Sequence, residues 1–193
     1  DEIIDYCNKL VYQGKLKPCR GSIRHDDKNT LKSEFPAMGH FPIEVESSEK
    51  RGSSRFNKEE AQQIVQWIAT HADKIQSTYP KEGGIENLIG VITPFKAQAA
   101  VIKKALPKHL KKIRVGTIHT FQGAECRIII ISTVYGGEDG CFFIENNKSL
   151  MNVAVSRAKD FFFVFGNRKC LLHTESSTTG LLRQMTEESI AGK

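Results

Sequence analysis

Residues 115–131, VGTIHTFQGAECRIIII, followed by residues 151–167, MNVAVSRAKDFFFVFGN, decide the fold. Each stretch couples a polar turn, one punctuated by glycine and one carrying an arginine, to an apolar run fit for a buried strand. The runs 128–131 and 161–165 lack the alternation of a half-exposed strand, so helices should cover both of their faces. This pattern is that of a parallel α/β sheet, which presents ligand-binding groups on loops at its edge.

Working outward, strand and helix alternate. Residues 88–92 read as strand, 95–106 as helix, 113–117 and 128–133 as strands, 150–155 as helix and 161–165 as strand. Right-handed crossovers then bring the loops at Thr93, Thr117 and Gly166 to one rim. The segment 136–148, with three glycines and two asparagines, reads as a flexible excursion. Upstream, Asn57 with Glu60 three residues on makes a capping-box-like start. Ala61, Ile64, Val65, Ile68, Ala72 and Ile75 follow at helical spacing, and Pro80 with Gly83-Gly84 ends that helix. Residues 2–10 read as the end of a helix, and 17–55 as mostly loop with a short strand at 43–46. Residues 1–173 are assigned to one domain and 174–193 to a tail, a short helix or partly disordered.

A length of 193 residues with 39% hydrophobic and 26% charged residues fits one globular domain. The opening Asp1-Glu2-Ile3-Ile4 lacks the layout of a secretory signal and reads as a cut inside a longer polypeptide. A net charge of +6 and a pI near 9.1 favour a polyanionic partner. The five cysteines are scattered and contain no C-x-x-C pair, which indicates reduced thiols in the cytoplasm. Cys7, Cys19 and His25 fit none of the usual zinc spacings, so no metal site is expected. No stretch spans a membrane. The chain lacks G-x-x-x-x-G-K-[ST], hence the phosphate cradle of a complete P-loop ATPase, and it should not hydrolyse ATP alone. It also lacks the G-x-G-x-x-G turn of dinucleotide-binding oxidoreductases and the G-x-S-x-G elbow of serine hydrolases.

The ordered blocks ITPFKAQ (residues 92–98), TIHTFQGAE (117–125) and NVAVSRAK (152–159) resemble motifs IV, V and VI of superfamily I helicases of the nonsense-decay type. IIDYCNKLVYQGKL (3–16) and SRFNKEEAQQI (54–64) extend the likeness. The resemblance implies the C-terminal RecA-like domain of such a motor, a three-layer α/β sandwich with a mostly parallel sheet and helices on both faces. It implies ATP and Mg²⁺ held mainly by a missing Walker-bearing N-terminal RecA-like domain of the same parent chain. It also implies a single-stranded DNA or RNA partner and 5′-to-3′ movement. Members usually carry an aromatic-arginine-x-histidine stretch just before the segment matched by residues 3–16, and the present sequence starts after it.

By this resemblance Arg157 is the catalytic residue. A forked, permanently charged guanidinium offered across a cleft can stabilise a transferring γ-phosphoryl group. Without its block the same residue would read as half of a surface salt bridge. Gly123 and Glu125 are implied nucleotide contacts, by close backbone approach to phosphate and by accepting hydrogen bonds from ribose hydroxyls. Gln122 is assigned to coupling between nucleotide and nucleic acid. Thr93, Thr117 and His119 are the candidate nucleic-acid contacts, able to hold phosphate oxygens without reading sequence. Thr93 also reads as a helix N-cap ahead of Pro94. The cluster Lys103, Lys104, Lys108, Lys111, Lys112 and Arg114 reads either as a basic track or as a solvated helix end. Phe121 and Trp67 read as core. The alternative to a motor domain is a catalytically silent nucleic-acid-binding or scaffold domain of the same fold. The motor reading requires Arg157 on the same side of the ligand-bearing sheet edge as Gly123 and Glu125.

Overall fold

Along β6 (Cys126–Ser132) and β7 (Ala158–Gly166), successive side chains enter two different cores, as a period of two demands of a strand buried on both faces. Ile128, Ile130, Phe161, Phe163 and Phe165 pack with Ile64, Ile68, Ile75 and Ile102 on one face. Ile129, Ile131, Phe162 and Val164 pack with Tyr6, Met151, Val155, Leu181 and Leu182 on the other. A sheet between two helical layers is the consequence. The computed structural model describes residues 2–17 and 30–188.

The sheet has six strands in the order β5-β4-β6-β7-β1-β8, and every pairing is parallel. Besides β6 and β7 it contains β1 (Met38–Pro42), β4 (Ile89–Ile92), β5 (Arg114–Gly116) and β8 (Glu187–Glu188). A small antiparallel hairpin, β2 (Glu49–Arg51) with β3 (Ser54–Phe56), stands apart from it. The first face carries α2 (Lys58–Thr78), α3 (Ile85–Leu88) and α4 (Lys96–Ala105). The second carries α1 (Glu2–Cys7), α5 (Phe142–Glu145), α6 (Lys148–Ser156) and α7 (Thr178–Met185). The three-layer expectation is met.

Several local expectations are corrected. The strand placed at 43–46 lies at 38–42, because the ladder to β7 pairs Met38 through Pro42 with Phe162 through Gly166. Gly39, His40 and Pro42 in that segment obscure its strand character in the sequence. The excursion 136–148 is tied down, since Gly137 and Glu138 donate to the Val45 and Glu46 carbonyls and Arg55 pairs with Asp139 at 2.9 Å. It also contains α5. Within residues 174–188, α7 buries Leu181 and Leu182 and β8 joins the sheet.

Asn57 caps α2 as its position predicts, its side chain accepting from the Glu60 N–H at 3.0 Å. The other half of the capping box is absent: Gln98 Oε1 takes the Asn57 N–H at 2.8 Å. The Glu60 carboxylate instead turns into the sheet edge. Thr93 is not the cap of α4, which starts at Lys96 with Phe95 before it. The cap comes from Ser54 on the hairpin, whose Oγ accepts from the Ala97 N–H at 3.1 Å. Cys7, Cys126, Cys141 and Cys170 are buried free thiols, while Cys19 and His25 lie outside the described residues. Among the described residues no helix is long and apolar enough to cross a membrane.

Candidate functional site

Because all six strands run the same way, residues that follow a strand collect at one edge and residues that precede a strand collect at the other. The predicted site residues divide accordingly. Thr93 follows β4 and Thr117 follows β5, and the two loops are joined by the Thr93 N–H donating to the Gly116 carbonyl at 3.0 Å. Gly166 closes β7 at the same edge. Glu125 immediately precedes β6, and Arg157 immediately precedes β7. The edge with Thr93, Thr117 and Gly166 and the edge with Glu125 and Arg157 stand about 20 Å apart, the length of a seven-residue strand. The expectation that one edge bears all the ligand groups is corrected to two edges.

Arg157 ends α6, in right-handed helical backbone conformation, and its carbonyl accepts from the Cys126 N–H at 3.0 Å. That bond and the pairing of Cys126 with Ala158 fix Arg157 beside the Gly123–Glu125 turn. The guanidinium is half-buried. Its Nη2 donates to Ser156 Oγ at 3.2 Å, its Nε is buried without a partner, and no carboxylate among the described residues pairs with it. A half-buried cation with no carboxylate partner is suited to an incoming anion through its accessible guanidinium edge, the enclosed Nε taking no part. From the other side α6 is braced by Asn152, whose Nδ2 donates to Tyr12 Oη at 3.1 Å.

Gly123 is exposed, adopts φ +74° and has no atom within 4 Å of where a Cβ would stand. The turn therefore needs glycine for its backbone, and it leaves open space above it. Glu125 is exposed and its only ionic partner among the described residues is Lys159, at 3.7 Å. Such a surface pair contributes little, and the carboxylate stays available to other donors.

The residues between the two groups bridge them. After Thr117, a single 3-10 turn (Ile118–Phe121) crosses the sheet face and drives Phe121 into the core beside Ile92, Ile129 and Met151. His119 and Gln122 stay exposed, Thr117 is half-buried, and the Gln122 N–H donates to the His119 carbonyl at 3.4 Å. Thr93 is wholly buried, with its Oγ1 accepting from the Phe95 N–H at 3.4 Å. It shapes the loop and presents no hydroxyl to solvent. The basic cluster enters the sheet at the Arg157 edge, away from Thr117, and Lys111 caps α4 by donating to the Lys103 and Lys104 carbonyls at 2.6 and 3.0 Å. Trp67 lies in the aromatic core with Phe163.

One polar assembly went unread in the sequence. Behind the Thr93 edge, Glu60 is fully buried and accepts from Ser132 Oγ and from the Val134 N–H at 2.9 Å. Burial pushes its carboxyl up to about 8, against the lowering pull of those two hydrogen bonds. Val134 adopts φ +75°, a strained conformation for a β-branched residue, and the carboxyl holds it there. A glutamate three residues after an N-cap normally signals a capping box, and that meaning masked its burial.

The AAA-domain family model matches residues 1–169, most of the chain and all of the elements just described except α7 and β8. The chain belongs to this family, as the C-terminal RecA-like domain of a superfamily I helicase of the nonsense-decay type. It is 30% identical over 198 residues to the putative helicase mov-10-B.2 of Danio rerio, covering 90% of this chain and 19% of that protein. Identity is 35% over 149 residues to the RNA helicase Mov10l1 of Homo sapiens, covering 73% and 12%. To the ATP-dependent helicase upf1 of Schizosaccharomyces pombe it is 29% over 178 residues, covering 86% and 18%. The AAA-domain chain thus spans about a fifth or less of these relatives. In fold it is similar to the C-terminal domain of a possible DNA helicase from Lactobacillus plantarum WCFS1, with a TM-score of 0.53, 11% identity, and coverage of 97% of this chain and 95% of that one.

Proposed function

We propose that this domain is the second half of an ATP-driven, single-strand-translocating motor of the cytoplasm, acting with a Walker-bearing RecA-like domain of the same parent protein. The observation that carries the reading is the half-buried Arg157, which has no carboxylate partner among the described residues, beside the open glycine turn at Gly123 and the available carboxylate of Glu125. In this reading Arg157 stabilises charge on the γ-phosphoryl group, Gly123 lets backbone approach phosphate, and Glu125 accepts from a ribose hydroxyl. The family resemblance assigns ATP and Mg²⁺ mainly to that partner domain.

Thr117 and His119 grip phosphates of the strand at the opposite edge, with Thr93 positioning their loop. Gln122 lies on the run that joins the two edges, which suits it to transmit closure of the nucleotide cleft to that grip. Phosphate contacts of this kind serve DNA and RNA alike, and the family resemblance favours 5′-to-3′ stepping. The test is strand-stimulated ATP hydrolysis by the two-domain parent. Arg157→Ala and Arg157→Lys should each lower turnover by about a thousandfold, since lysine keeps the charge and loses the fork, with the melting temperature unchanged. Full activity in Arg157→Ala would remove the basis of the reading.

A further inference from the structure

The two large aromatic rings most open to solvent are neighbours. Phe142 is 70% exposed and Phe143 42%, both on α5, inside a segment otherwise held by hydrogen bonds. Phe143 stands on a built support. The Phe143 N–H donates to Tyr135 Oη at 3.2 Å, and Phe143 packs on Phe95 at 5.8 Å between ring centroids. Phe95 in turn meets Tyr135 edge-on at 5.5 Å, and Arg55 lies 5.5 Å over the Tyr135 ring, held by Asp139 and Ser48. Leaving an apolar ring in water forgoes stabilisation that burial would supply, so rings kept exposed on a rigid base call for a ligand that covers them.

Their location identifies it. Phe95 is two residues beyond Thr93, so the rings stand at the sheet edge where Thr117 and His119 face solvent. Lys96 follows Phe95 directly and Lys148 opens the helix after α5, and both are exposed. Of the nearby carboxylates, Asp139 is engaged by Arg55 and Glu145 caps α7 through the Thr178 and Thr179 N–H groups, leaving Glu138 exposed. Flat apolar faces at the edge where Thr117 and His119 are read as phosphate contacts suit an unpaired base.

We infer that Phe142 and Phe143, the latter backed by Phe95 and Tyr135, form a stacking rung that holds a base of the single strand whose phosphates Thr117 and His119 contact. The inference rests on the strand-binding reading above. Stacking on a π-face is indifferent to base identity, as a translocating motor needs, and it adds affinity without adding an ionic contact.

The test compares Phe142→Ala and the double variant F142A/F143A with wild type, binding a fluorescent poly-thymidine strand and the same strand with abasic positions throughout. On the base-bearing strand each lost ring should weaken binding about tenfold, with the slope of log affinity against log salt unchanged. On the abasic strand wild type and variants should bind alike. Phe142→Ala removes the more exposed ring and keeps the folded control. Variants that match wild type on the base-bearing strand would overturn stacking while the strand-binding reading stands, and would mark the rings as a protein-docking face. Equal weakening on both strands would also overturn it. A wild-type chain that binds neither strand would overturn the underlying reading and this inference together.

Discussion

Glu60→Gln should flatten the pH dependence of stability. The carboxyl is fully buried between Ser132 and the Val134 N–H, and its folded value of about 8 stands well above the ordinary 4.5. Between those values the folded chain keeps a proton that the unfolded chain has released. By linkage, stability from this group is fully present below about pH 4.5 and is lost as pH rises through about 8. The slope is about 1.4 kcal/mol per pH unit, so raising pH from about 5 to about 8 costs the wild type roughly 4 kcal/mol from this group alone. Glutamine keeps an acceptor for Val134 and titrates nowhere in that window. Urea unfolding of both proteins at about one-unit pH steps isolates the term, because the six histidines are common to both. Parallel profiles, differing by a constant within about 0.5 kcal/mol, would refute the claim that the buried carboxyl is neutral in the folded state.

Gly166→Ala should be destabilising: at φ +151° its Cβ would meet Thr133 Oγ1 and approach Glu60, costing about 1–3 kcal/mol and several degrees of melting temperature. Gly123→Ala shares a positive φ but has open space around it, so it should cost only about 1 kcal/mol in a thermal melt while impairing nucleotide-dependent turnover of the parent. Asn57→Ala removes the N-cap of α2 and a bond to the Val134 carbonyl, and should lower unfolding free energy by about 1–2 kcal/mol in urea. Arg127→Ala strips Asp160 and Glu82 of their shared cation and should cost about 1–3 kcal/mol in urea unfolding at pH 7.

The helices α2, α4 and α6 and the strands β4 to β7 were legible because their signals are local: helical spacing after Asn57, and unbroken apolar runs at 128–131 and 161–165. The strand β1 was not. Its residues 38–42 earn their place by pairing with β7 about 120 positions later, and no local pattern in MGHFP announces such a contact. The Glu60 assembly was hidden for the same reason, since its partners Ser132 and Val134 are more than 70 residues away. Phe142 and Phe143 did carry a signal, an apolar pair inside a polar excursion. That pair gains meaning only once Tyr135 and Phe95 are seen beneath it.

The division of the site between two edges follows from sequence order once the sheet is known to be parallel. Thr93 and Thr117 come after their strands, whereas Glu125 and Arg157 come before theirs, so no arrangement of right-handed crossovers could gather all four on one rim. The connection from β5 to β6 must then carry the chain from the first edge to the second, and in this protein it does so in nine residues with one buried anchor, Phe121. That run is the shortest covalent route between the two edges. If Gly123 and Glu125 meet nucleotide as proposed above, this run is where a displacement at the cleft reaches His119 and Thr117, about a strand length away, and loosening it by Phe121→Ala should uncouple strand stimulation from ATP hydrolysis in the parent.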